Sequence, residues 1–214
     1  MKLWTKQIRL AAKTLINKIM TIVYIHGASA TSESFSRIRD HIKKPDLTID
    51  YNSANGFANN LADMKKQIED IEKVFFVAHS LGGIYALHLA DCFPNKTLGG
   101  VTLSTPYGGS READFAKYFL PFSRLMRDIG PMSDPMAKIK TLNYPKENWT
   151  NVVTTAGKSP WVVEENDGVV TLKSMKYLPD MELIELPLNH YEVVISDKTV
   201  NLIKERIKRT PLGP

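Results

Sequence analysis

Cysteine is nearly missing from this 214-residue chain, where Cys92 stands alone. A single cysteine closes no internal disulfide, so the fold does not depend on an oxidising compartment. Long apolar runs are also missing. None approaches the roughly 18 residues that a spanning helix requires. Glycine and proline, twelve of each, are too few for a fibrous or disordered class. Acid is missing from residues 1–20, which hold Lys2, Lys6, Arg9, Lys13 and Lys18. That segment accounts for the whole formal charge of +5, so the remainder of the chain is balanced. A neutral body with basic ends, without aromatic residues interleaved among the basic ones, does not suit a nucleic-acid groove.

The first twenty residues lack the uninterrupted apolar centre of a signal peptide. Trp4, Ile8, Ala11, Leu15 and Ile19 recur at steps of three or four, which predicts a basic amphipathic helix. Such a helix suits either packing on the body or peripheral contact with an anionic membrane surface. Cytoplasmic residence is the default expectation.

What remains is a regular alternation. Short apolar, β-rich runs lie at 21–27, 47–52, 74–80, 99–106, 151–157 and 181–187. Helical spacing covers 32–44, 57–73, 81–93 and 192–209, and a longer mixed segment occupies 110–147. Several strands are apolar on both faces. This predicts a single α/β domain over 21–214, with a mostly parallel sheet of about six strands covered by helices on both faces.

One run, VFFVAHSLGG at 74–83, ends a buried strand on a hydroxyl. Small neighbours, Ala78, Gly82 and Gly83, allow a sharp turn that lifts Ser80 above the sheet. The pattern is the nucleophile elbow G-x-S-x-G, with Ala78 in the place of the first glycine. The plain alternative is a serine that caps the following helix. A nucleophilic serine needs donors for a developing oxyanion. The Leu81 N–H supplies one, and the Ala28 N–H, after Gly27 in the loop that ends the first strand, supplies a second. Asp167 in EENDGVVT and His190 in PLNHYEVV each follow a later strand. The chain order Ser80, Asp167, His190 is that of a triad built on such a sheet. Asp134 is the rival acid. His79, as a strand neighbour of Ser80, should point away from it. His88 and Cys92, four apart on the next helix, are read as packing against the sheet rather than holding a metal.

With VYIHGAS, VFFVAHSLGG, LSTPYGGS, NDGVV and LNHYEVV in place, the chain resembles the α/β-hydrolase superfamily, in its bacterial lipase and esterase type, over residues 21 to about 205. Tyr107 stands where that group carries a histidine in a T-P-H-G-G run. The resemblance implies Ser80 as nucleophile, Asp167 as acid, His190 as base, and Ala28 and Leu81 as oxyanion donors. It implies a lid or an acyl-binding wall within 110–147, drawn from Phe119, Phe122 and Leu125 among others; ordinary helix packing is the alternative there. The implied activity is hydrolysis of a small-molecule or lipid ester, with no metal or organic cofactor. An acyltransferase or thioesterase would share the same triad, and a catalytically silent binding module would share the fold.

Overall fold

The apolar runs near residues 21 and 74 are strands buried on both faces. In the computed structural model, which describes residues 19–109, 130, 133–158 and 164–212, β1 (Thr21–Ile25) and β3 (Val74–His79) lie side by side. Side chains alternate across a strand. Ile22, Tyr24, Phe75 and Val77 therefore enter one apolar cluster, and Val23, Ile25, Phe76 and Ala78 enter the other. Two buried faces demand two covering layers, which is why these strands carry almost no polar residue.

The remaining strands are β2 (Asp46–Ile49), β4 (Thr97–Leu103), β5 (Trp149–Thr154) and β6 (Glu182–Leu186). The sheet order is β2-β1-β3-β4-β5-β6, and every pair is parallel. One face is covered by α1 (Ser36–Ile42) and α6 (Asp197–Arg209), through Ile38, Val200, Ile203 and Ile207. The opposite face is covered chiefly by α2 (Phe57–Ile68) and α3 (Leu81–Cys92), with α4 (Asp134–Lys138) and α5 (Leu172–Met175) beside them. The six-stranded parallel sheet and its two helical layers match the expected class.

Several boundaries shift. The terminal helix starts at Asp197, because the Ser196 side chain accepts the Lys198 N–H and caps it, and only a short 3-10 turn covers Glu192–Val194. Cys92 is exposed where α3 ends, so it does not pack on the sheet. His88 donates to or accepts from no group of the sheet; its Nε2 meets the Pro135 carbonyl oxygen at 3.1 Å. Residues 1–18 and 110–129 lie outside the described residues, and with them the expected basic helix and the apolar residues Phe119, Phe122 and Leu125.

Chain order reverses direction between β1 and β3, which creates a crevice beyond their carboxyl ends. Register aligns those ends, since Ile25 pairs with Ala78 and Ala78 with Thr102. His26 and Gly27 thus emerge beside His79 and Ser80. α3 presses tightly on β1 there. A β-carbon added at Gly82 would fall 2.1 Å from the Ile25 carbonyl oxygen and 2.6 Å from that of His26. Both obstacles are backbone, which cannot swing aside. Alanine would favour the helix by about 1 kcal/mol, but overpacking costs about 1–3 kcal/mol, and here the larger figure applies. Gly82→Ala should lower the urea midpoint of unfolding; a variant as stable as the parent would contradict this packing.

Candidate active site

Ser80 is the hinge between β3 and α3. Its backbone sits at φ 52° and ψ −123°, and its side chain gives no capping hydrogen bond. A capping serine would be extended and would accept a helix N–H, so the capping alternative fails. The Oγ is buried and has no hydrogen-bond partner among the described residues. An unpaired buried hydroxyl on a strained backbone is costly.

The loop after β1 closes on this turn. A β-carbon at Gly27 would lie 3.1 Å from Ser80 Cβ and 3.1 Å from His79 Nδ1, so the loop passes tightly over the turn and glycine eases that approach. His26 anchors the loop. Its Nδ1–H donates to the Gly27 carbonyl oxygen at 2.7 Å, its Nε2 accepts the Tyr51 N–H at 3.3 Å, and its ring stacks on Tyr51. Burial pulls the His26 pKa below its ordinary value, which keeps this neutral tautomer. Among the described residues, neither the Ala28 N–H nor the Leu81 N–H has an acceptor.

Asp167 and His190 meet directly. His190 Nδ1 lies 2.8 Å from Asp167 Oδ2. Asp167 Oδ2 also accepts the Thr154 hydroxyl at 2.6 Å, and Oδ1 accepts the Val169 and Val170 N–H groups at 3.0 and 2.8 Å. Burial works against the charge, but the bonds from His190, Thr154 and the backbone outweigh it and hold this carboxyl below its ordinary range. An ionised carboxylate only accepts, so the Nδ1–H of His190 is the donor in this bond. The Thr154 hydroxyl hydrogen is spent on Asp167. Ser104 Oγ, 2.7 Å from Thr154 Oγ1, therefore donates to it and completes a relay from β4 through β5 to the acid. Gly168, at φ 99°, lets the backbone turn so that Val169 and Val170 face the carboxylate.

The structure therefore pairs Asp167 with His190 and places Gly27 against Ser80. It does not hydrogen-bond His190 to Ser80 Oγ. Asp134 heads α4 and lines a separate cleft with His88 and Lys138, so it makes no contact with His190. The sequence reading missed His79. Its Nε2–H donates to the His190 carbonyl oxygen at 2.9 Å, and the two rings are 4.7 Å apart. The residue before Ser80 thus holds the backbone of the histidine expected to act with it. Thr154 and Ser104 were missed as well. Their only signal was polarity at the end of apolar strands.

No protein-family model and no characterised protein sequence matches this chain. Solved structures do. The Bacillus licheniformis lipase BlEst2 in mature form superposes with a TM-score of 0.65 at 18% identity, over 86% of this chain and 90% of that one. A lipase-esterase related protein from Clostridium acetobutylicum gives 0.62 at 13% identity, over 91% and 96%. A haloalkane dehalogenase variant from Bradyrhizobium elkanii gives 0.63 at 14% identity, over 89% of each. The fold is that of α/β-hydrolases, and the similar structures include lipases and esterases. The dehalogenase shows that the fold alone does not fix the chemistry.

His79 offers a test of the site's rigidity. Burial, then the neighbouring His190, pulls its pKa down to about 3. The unfolded histidine takes up a proton near pH 6.5, so the unfolded state binds more protons below that pH. Stability is then fully present above about pH 6.5 and is lost as pH falls toward about 3. His79→Gln keeps a donor and removes the titration. Urea unfolding across pH 7 to 4 should show a slope smaller by about one proton; an unchanged slope would contradict a buried neutral His79.

Proposed function

We propose that the chain is a serine hydrolase that cleaves carboxylic esters through an acyl-enzyme on Ser80. The observation that carries this is the uncapped, unpartnered Ser80 hydroxyl on its positive-φ turn. Strain of this kind persists where the surrounding structure holds it, and it clusters at sites that use it.

Each group has one task. Ser80 Oγ attacks the ester carbonyl carbon, and His190 Nε2 takes its proton. Asp167 fixes the His190 tautomer and stabilises the imidazolium that forms. The Leu81 and Ala28 N–H groups take the oxyanion, at the N-terminus of α3 and in the loop after β1. The intermediate collapses, and the alcohol leaves with the proton from His190. Water then gives its proton to His190 and attacks the acyl carbon, releasing acid and restoring Ser80. Because the resting Ser80 Oγ is not bonded to His190, substrate binding must draw the two together, as is common for catalytic hydrogen bonds. His79 is a positioning residue in this scheme. Phe119, Phe122 and Leu125 are proposed as contacts for an apolar acyl group on sequence grounds.

A panel of p-nitrophenyl esters of graded acyl length tests the reading. The full chain should hydrolyse them. Ser80→Ala should lose about six orders of magnitude in kcat and Asp167→Asn about four. Equal turnover in Ser80→Ala would refute the assignment. Free acid as the sole product in the presence of an added alcohol supports hydrolysis, whereas a new ester points to acyl transfer.

A further inference from the structure

The amino end of the sheet carries a corner that catalysis does not use. β1 starts there at Thr21, Lys44 lies just before β2, and α6 finishes there at Arg209. Met20, Ile42 and Ile207 form the apolar floor of a cleft of about 360 Å³, rimmed by Lys44, Lys204 and Lys208. Among the described residues, no acid and no aromatic residue lines it. Among the described residues these three lysines enter no ion pair. The nearby acids are already engaged: Glu205 with Arg206 and Arg209, Glu182 with Arg206, and Asp46 with Arg39. Ile19 and Leu212 are large apolar side chains left 44% and 39% exposed beside the cleft. Residues 1–18 join the body at Ile19 and add five basic residues and no acid.

We propose that this corner docks on a bilayer containing anionic phospholipid. Free lysines over an apolar cleft, with exposed Ile19 and Leu212, fit a surface that is anionic outside and apolar beneath. A nucleic acid would want stacking partners, and none stands among the described residues that line the cleft. A second copy would bring like charge against like charge. The consequence for function rests on the preceding reading of Ser80. Ser80, Asp167 and His190 follow the carboxyl ends of their strands, so the docked chain holds its site away from the bilayer. Its ester then arrives from the aqueous side rather than from the leaflet that holds the protein.

Co-sedimentation of the full chain with phosphatidylcholine vesicles, with and without about 30% phosphatidylglycerol, is the test. Binding should require the anionic lipid and weaken in about 0.5 M salt. Lys204→Glu with Lys208→Glu should cut it at least about tenfold. Lys138→Glu with Lys173→Glu, the same charge change elsewhere, should leave it nearly intact. Equal binding to neutral vesicles, or an equal loss in the second pair, overturns the docking. So does an oligonucleotide complex or a dimer that the first pair abolishes. A soluble ester should be cleaved at the same rate with and without anionic vesicles, and at the parent rate by the first pair. A rate that falls when vesicles are added overturns the orientation but not the ester chemistry.

Discussion

The structure depends on one turn, where β3 becomes α3 at Ser80. The strand must end, the helix must begin, and one residue must absorb the change at positive φ. Everything around it is shaped to permit this. Gly82 lets the helix sit on the backbone of β1, and Gly27 lets the next loop close over the turn. The conformation is unfavourable for serine. It is held because α3 is buried along nearly its whole length, and the packing of that helix outweighs the local strain.

A second constraint works through Asp167. Four donors fill its two oxygens, so the charge is stable in a buried place. Three come from neighbouring loop and strand, and the fourth is the imidazole of His190. The acid therefore orients the histidine without sharing its proton. His79 adds a hold on the same histidine from the other side, through backbone rather than ring. Ser80 and His190 are thus tied to one another by scaffold before any substrate arrives, although their own side chains are not bonded.

Much of this was legible in the residues. Strands apolar on both faces announced a covered parallel sheet, and AHSLGG announced the turn. Asp167 and His190 stand out because each follows a strand in a recognisable loop, and the structure pairs their side chains. What was not legible depends on contacts between distant residues. Ser104 and Thr154 are 50 apart in sequence, and His79 and His190 are 111 apart. No local pattern encodes such pairs. The rule of alternating strand faces separated His79 from Ser80, but that rule holds only while both residues are extended. Ser80 is not. Helix ends were misplaced for a similar reason: Ser196 caps α6 by its side chain, which periodicity alone does not show.

The central claim is that the strained hydroxyl is a nucleophile. A fluorophosphonate reacts only with a serine so activated. Incubating the folded chain with one and mapping the adduct by peptide mass tests the claim most directly. The account predicts a single adduct on Ser80, lost when the chain is unfolded in urea beforehand and reduced in His190→Ala. A folded chain whose Ser80 stays unmodified would contradict it.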